Sequence, residues 1–377
     1  MESSFKPKKI TINFFLQSKD FGGAEQFAKD LLLELAKKGN FVYLYTSNDF
    51  LLKNLTNKKN LQVKKTRLYL DFASNRRGLL KSILLSPFAI IYYFKIFSEI
   101  KKRSSKQVVI YSGFSEKIIP GPLSKLFNLP TFFIEYGPLE PLFVKLRGIP
   151  KFLYFLTKNI ASKIIVPSNN TQFALKKVFA KEKMIIIPCG SSISSLKRQK
   201  TIKKRTITVI SRLEKGKGQD LAIKAFALVK KEFKDAELLI IGQGNFEKEL
   251  KLMAKNDQQI KFLQYVRNKQ KAIEESELIV CPSVWSLEGF GLTIIEAMAF
   301  AKPIVAFDRA PGNEILNNEK NSLLAKNKDY IDLSNKIIEL LKDKNLQKKL
   351  AKNAQQNFIE KYQIEKVAEQ YLNLLKN

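Results

Sequence analysis

The chain has 377 residues, 45% hydrophobic and 27% charged, enough for two hydrophobic cores and free of the low-complexity tracts that mark disorder. It carries 66 Lys and Arg against 35 Asp and Glu, a net charge of +31, and no histidine; this excludes Ser-His-Asp and Cys-His catalysis, imidazole zinc sites and any histidine base. Cys189 and Cys281 lie far apart without metal-ligand spacing, which predicts reduced thiols and no disulfide framework.

The opening MESSFKPKKITINFF has no apolar h-region and no small-residue cleavage site, so no secretory signal is expected and the chain is expected in the cytoplasm. Short apolar, β-rich runs then recur at 10–15, 41–45, 108–111, 131–134, 164–166 and 185–187. In the second half they recur at 207–210, 238–241, 260–263, 278–280 and 304–307. Most lack period-2 alternation, as strands buried on both faces of a parallel sheet do. With helical stretches between them they predict the α/β class and two doubly wound, Rossmann-like layers. The polar, basic run GSSISSLKRQKTIKKR, 190–205, predicts a linker within ten residues of Ser195. After Leu323 the chain reads as helical to its end, with Val367, Tyr371, Leu374 and Leu375 on one apolar face.

Residues 79–97, LLKSILLSPFAIIYYFKIF, form the most apolar stretch. Lys81, Pro87 and Lys95 interrupt it, which argues against a membrane span, while KKR at 101–103 suits a segment lying at an anionic interface. A core helix with one exposed end is the alternative. The charge is uneven: residues 1–196 carry 32 Lys and Arg against 12 Asp and Glu, the remainder 34 against 23. No zinc-finger spacing, RNP-like aromatic motif or basic helix-turn-helix accompanies it, so nucleic acid is not the expected partner. An anionic membrane, a phosphorylated acceptor and a lysine-rich proteome all fit it.

The most informative segment is SLEGFGLTIIEAMAFAKPIVA, 286–306, which follows LIVCPS. A strand, a glycine-bearing turn and a helix opening near Gly291 aim backbone N–H groups and the positive end of a helix dipole at one point, an anion site best suited to phosphate. Gly289 and Gly291 let a ligand approach the backbone closely. Two carboxylates, Glu288 and Glu296, bracket the site. They repel phosphate and accept hydrogen bonds from hydroxyls, so Glu288 is expected at a transferred sugar and Glu296 at a ribose; a solvated helix glutamate is the alternative for Glu296. Earlier, SRLEKGKGQD, 211–220, places Arg212 and Lys217 at the carboxyl end of the strand TITVI. There they would neutralise a diphosphate leaving group whose charge grows as its bond to the sugar breaks. A solvated turn is the bland reading of such a loop.

In this order, Arg212-Leu213, Lys217-Gly218, IIGQGNFEKEL, LIVCPS and Glu288-Gly-Phe-Gly … Glu296 resemble the retaining GT-B-fold glycosyltransferases with an E-x7-E motif, the glycosyltransferase family 4-like group 1 enzymes. These motifs cover about 205–325. FGGAEQFAKDLLLELAKKG, VPSNNTQFAL and IIIPCG resemble the family's weaker N-terminal markers. The resemblance implies two Rossmann-like domains facing a central cleft: an acceptor-binding domain at 1–195, a nucleotide-sugar-binding domain at 196–357 and a C-terminal helix, 358–377, crossing back to the first. It implies a hexosyltransferase with a UDP-, GDP- or ADP-sugar as co-substrate, no other cofactor and no metal; the sequence accordingly lacks Asp-x-Asp.

Carried over, Arg212 and Lys217 contact the diphosphate and act in catalysis with Glu288, and Glu296 contacts the ribose. Gly22 and Gly23 shape a loop near diphosphate and acceptor, Phe290, Gly291 and Leu292 line the anion site, and Val266 lies near the nucleobase. Many relatives have a histidine-glycine pair where this chain reads Glu135-Tyr136-Gly137, so either one of these three makes the donor-sugar or acceptor contact or the contact is absent. Cys189-Gly190 stands where relatives often have Asn-Gly. The basic first half and the apolar 79–97 segment add the expectation of a lipid-linked or cell-envelope glycan acceptor, met at the inner face of the cell membrane. Rival readings are an epimerase or phosphorylase on the same fold, a nucleotide-sugar binder without turnover, and a basic membrane- or nucleic-acid-binding protein.

Overall fold

The computed structural model describes residues 9–19, 21–193, 205–255, 257–264 and 269–376. The chain forms two compact units, Met1–Cys189 with Ile364–Asn377, and Gly190–Gln363. Unit 1 runs β1 (Ile10–Leu16), α1 (Gly23–Lys37), β2 (Phe41–Thr46), α2 (Asp49–Leu55), β3 (Leu61–Lys65), α3 (Arg76–Lys101), β4 (Lys106–Tyr111) and α4 (Pro120–Leu126). It continues through β5 (Thr131–Ile134), α5 (Glu140–Phe143), α6 (Ile149–Thr157), β6 (Lys163–Val166), α7 (Asn169–Leu175) and β7 (Met184–Ile186). Unit 2 runs β8 (Arg205–Ile210), α8 (Gln219–Glu232), β9 (Ala236–Ile241), α9 (Glu247–Met253), β10 (Ile260–Leu263), α10 (Lys269–Glu275) and β11 (Leu278–Cys281). After it come α11 (Leu292–Ala299), β12 (Ile304–Phe307), α12 (Gly312–Ile315), β13 (Leu323–Ala325), α13 (Tyr330–Lys342) and α14 (Lys344–Lys361); α15 (Ile364–Lys376) rejoins unit 1.

Both sheets are parallel throughout, ordered β3-β2-β1-β4-β5-β6-β7 and β10-β9-β8-β11-β12-β13. These are the two doubly wound layers that the apolar runs predict. Two strands escape the sequence pattern. β3 (LQVKK) is an edge strand with three polar residues among its five, and β13, in the stretch read as wholly helical, is a three-residue edge strand beside β12. The unit boundaries fall at 189/190 and 363/364, where the sequence places them at 195 and 358. Residues 358–361 stay with unit 2 because they are the last turn of α14, which packs on α11. The expected linker around Ser195 lies outside the described residues.

In unit 1 the order reverses between β1 and β4. Right-handed crossovers therefore put α1 and α2 on one face of the sheet and α3, α4, α6 and α7 on the other. Between the sheet and the second group of helices lies an aromatic core in which Phe15 stacks on Tyr45 at 4.5 Å and on Phe97 at 5.7 Å. On the other face α15 packs against α1, with Tyr371 6.2 Å from Phe27 and Lys38 Nζ 2.9 Å from Glu369. Asn75 caps α3 by accepting the Gly78 N–H at 2.8 Å, and the helix continues through Pro87 for 26 residues. Of the basic run after it, Arg103 is not free: it donates to Asn13 Oδ1 at 2.8 Å and lies 3.6 Å above the Tyr43 ring.

At the β1/β4 reversal the buried Glu116 accepts a hydrogen bond from the Gln17 backbone, and the Gln17 amide donates to Tyr93 Oη. Burial pushes the Glu116 carboxyl up to about 7; the Gln17 N–H and Lys117 oppose the shift, and Glu25 adds to it. An unfolded glutamate releases its proton near the ordinary value of 4.5, so between these values the folded state holds more protons. The stabilising contribution is complete below about 4.5 and is lost as pH rises through about 7. Glu116→Gln should remove this pH dependence, about 3 kcal/mol for a rise from 4.5 to about 7, from denaturant unfolding free energies measured across the interval. A variant with the wild-type slope would place the titration elsewhere.

Candidate active site

In unit 2 the strand order reverses between β8 and β11, and the loops at their carboxyl ends, 211–218 and 282–291, meet at that switch point, where open α/β sheets bind ligands. The Val284 N–H donates to the Gly216 carbonyl at 2.8 Å. Gly218 has φ +79°, and a Cβ there would stand 1.8 Å from the Pro282 carbonyl oxygen, so only glycine permits the approach. Beside it Lys217, 7% exposed, places Nζ 2.6 Å from Glu288 Oε2, which also accepts from Ser283 Oγ at 3.0 Å. Burial lowers the Lys217 pKa and Glu288 pulls it back up. The Trp285 ring lies under both expected diphosphate cations, 4.1 Å from Lys217 Nζ and 5.1 Å from the Arg212 guanidinium. Arg212, whose side chain is 59% exposed, is 2.7 Å from Glu214. Its backbone is fixed from within by the fully buried Gln219, which donates to Ser211 Oγ and the Arg212 carbonyl, each at 2.7 Å.

α11 opens from Gly291, at φ +109°, and Thr293 Oγ1 donates to the Ile210 carbonyl at 3.2 Å, tying the helix start to the end of β8. Gly289, Gly291 and Leu292 lie along this opening. The Phe290 ring does not line an open site; it is buried 5.9 Å from the Tyr362 ring, so only its backbone is available to a ligand. Glu296 is buried and ion-paired with Lys269 at the start of α10. Val266 lies outside the described residues. One end of the second sheet thus gathers Arg212, Lys217, Glu288, Glu296 and the α11 N-terminus. Two cations and a helix dipole can hold a diphosphate there, and two carboxylates can accept from hydroxyls. Ser283, Trp285 and Lys269 complete the group and escape sequence reasoning, although Trp285 is the chain's one tryptophan and precedes Glu288 by three residues.

In unit 1, Gly22 caps α1, its N–H donating to Glu25 Oε2 at 2.8 Å, and Gly23 is the first helical residue. Of the three residues after β5, Glu135 is committed to a buried cluster. It pairs with Lys117 and accepts from Tyr154 Oη, while Lys117 Nζ, 1% exposed, also donates to the Ile134 carbonyl at 3.0 Å. Tyr136 Oη accepts from Ser112 Oγ at 3.2 Å, its ring meets Phe27 of α1 edge-on at 6.3 Å, and burial pushes its pKa up. Gly137 follows, half-buried. Tyr136 and Gly137, not Glu135, are therefore the members of the trio left for a ligand.

Residues 193–357 match the family model of the glycosyl transferases group 1. The chain is 35% identical over 169 residues to the poly(ribitol-phosphate) alpha-N-acetylglucosaminyltransferase of Staphylococcus aureus, covering 44% of this chain and 34% of that protein. It is 26% identical over 356 residues to the alpha-1,3/1,6-mannosyltransferase ALG2 of Saccharomyces cerevisiae, covering 79% and 69%. The chain thus spans only about a third of the length of the staphylococcal relative. Among solved structures, Anabaena HepE in complex with UDP and glucose superposes with a TM-score of 0.78 at 20% identity, over 97% of this chain and 99% of that one. The fold is that of the GT-B glycosyltransferases.

Because the single tryptophan underlies both cations, titration with UDP or GDP should change its emission saturably, and Trp285→Phe should abolish the signal. Lys217→Ala should weaken binding about tenfold or more, through loss of a charge-assisted bond. Calorimetrically detected nucleotide binding with unchanged emission would move the diphosphate away from Trp285.

Proposed function

We propose that this chain, whose homologues are group 1 glycosyltransferases, transfers a hexosyl group from a nucleoside-diphosphate sugar to a hydroxyl acceptor, with retention of anomeric configuration and without a metal. The observation that supports this most is the pairing of Lys217 with Glu288 across the β8/β11 switch point, with Arg212 beside it: one loop offers cations to a diphosphate and the other a carboxylate to a sugar. In this reading the diphosphate lies over the start of α11, Glu288 orients the donor sugar and Glu296 accepts from the ribose. The bond between anomeric carbon and phosphate oxygen breaks and the acceptor oxygen bonds to that carbon on the same face. The acceptor's proton leaves with the diphosphate. Arg212 and Lys217 stabilise charge that is largest in the transition state.

Uracil is the preferred base of the donor, since HepE is described with UDP and glucose. The staphylococcal relative's name suggests a cell-envelope acceptor, and an anionic or lipid-linked one suits the basic first half of this chain. We assign that acceptor to unit 1, at the inner face of the membrane, and donor binding to unit 2. A donor binder without turnover is the competing reading, favoured by the commitment of Glu135 to Lys117.

Arg212→Ala and Lys217→Ala should each lower kcat by about two to three orders of magnitude with the fold intact by circular dichroism. Near-normal turnover in both variants would remove the clamp, and wild-type donor binding without any product would favour the binder. Activity should also survive EDTA, because two side-chain cations stand where a metal would neutralise the diphosphate. Loss that Mg²⁺ restores would show the clamp to be insufficient.

A further inference from the structure

One face of unit 1 differs from the rest of the described surface. Of the 19 large hydrophobic residues exposed among the described residues of both units, 13 lie between Leu80 and Phe173, and the opposite layer of unit 1, α1, α2 and α15, contributes none. On α3 the stripe Leu80, Leu84, Phe88, Ile91 and Phe94 faces outward, Leu84 at 75% exposure, while Ala89, Tyr93, Phe97 and Ile100 are fully buried behind it. On α6, Ile149, Phe152 and Leu156 repeat the pattern over the buried Tyr154. Both helices belong to the single layer that right-handed crossovers place on one side of the sheet, and their inward faces share one core.

Charge selects what this face meets. Residues 76–177 carry 17 Lys and Arg against four Asp and Glu. Two of the four, Glu116 and Glu135, are buried, and Glu99 is 3.6 Å from Lys64. An apolar surface rimmed by lysines such as Lys81, Lys95, Lys125 and Lys151 complements an anionic bilayer. A second copy of the chain would oppose one positive rim to another. α3 has the length and composition of a membrane span, yet it cannot leave the layer without exposing Tyr93 and Phe97 and breaking the stack on Phe15. It can only lie along an interface.

We propose that the outward face of the α3–α4–α6–α7 layer is a docking surface for anionic lipid, with α3 and α6 as two separate apolar contacts. This deepens the placement of the acceptor at a membrane by naming the surface that reaches it and adding α6, which carries no sequence signal of its own. Flotation of the full chain with vesicles of phosphatidylcholine, alone or mixed with phosphatidylglycerol, tests it without donor or acceptor. Binding should require the anionic lipid and weaken with salt. Ile91→Ser/Phe94→Ser and, independently, Phe152→Ser/Leu156→Ser should each reduce partitioning about tenfold or more at unchanged thermal midpoint. Lys125→Glu/Lys151→Glu, which leaves every buried side chain in place, should do the same. Equal binding to neutral and anionic vesicles would overturn the proposal, as would an α6 double variant that binds like wild type. Self-association abolished by the same variants, with no vesicle binding, would assign the face to a second copy. Nucleotide binding is measured separately, so either result stands without the other.

Discussion

The Pro282 carbonyl leaves no room for a side chain at position 218, and much of the second unit's chemistry depends on that contact. Because the two loops touch there, Lys217 is buried between them instead of extending into water, and a carboxylate five residues beyond Ser283 can reach it. A buried lysine at such a junction is costly unless it is paired, and Glu288 supplies the pair. Under the proposed reaction the arrangement is preorganised: an arriving diphosphate would find a lysine already desolvated and held against an indole face, so little reorganisation would accompany the growth of negative charge.

The second unit was legible in the sequence to an unusual degree because its site is built from two contiguous loops, each next to a strand with an uninterrupted apolar run. Arg212, Lys217, Glu288 and Glu296 fall where strand, turn and helix signals place them. Trp285 was not legible, since its role comes from the far loop folding over it and no local pattern distinguishes it from a core aromatic. The edge strands β3 and β13 were lost for a related reason: a strand with one open side is not required to be apolar throughout. Phe290 shows the limit of motif transfer. It occupies a motif position while its ring serves the packing against Tyr362.

The first unit was less legible because its polar residues are spent in long-range contacts. The trio Glu135-Tyr136-Gly137 stands where the resemblance implies a histidine-glycine pair, and nothing nearby in sequence announces that Lys117 and Tyr154 will enclose Glu135. The net charge is likewise not one property. Lys117 and Lys302 are buried and donate to backbone carbonyls, Arg103 lies over the Tyr43 ring, and Lys81, Lys95, Lys125 and Lys151 of the α3–α7 layer are exposed. Counting charges along the chain cannot separate these uses; burial does.

The return of α15 to unit 1 bears on the order in which the protein is made. Val367, Tyr371 and Leu375 cover the outer side of α1, but on a ribosome they are synthesised after all of unit 2. Until then Phe27 of α1 lacks its aromatic partner, and the first half of the chain waits, incompletely closed, for a segment more than three hundred residues downstream. The topology makes unit 2 an insertion within unit 1, so the half that begins synthesis first is the last to be finished.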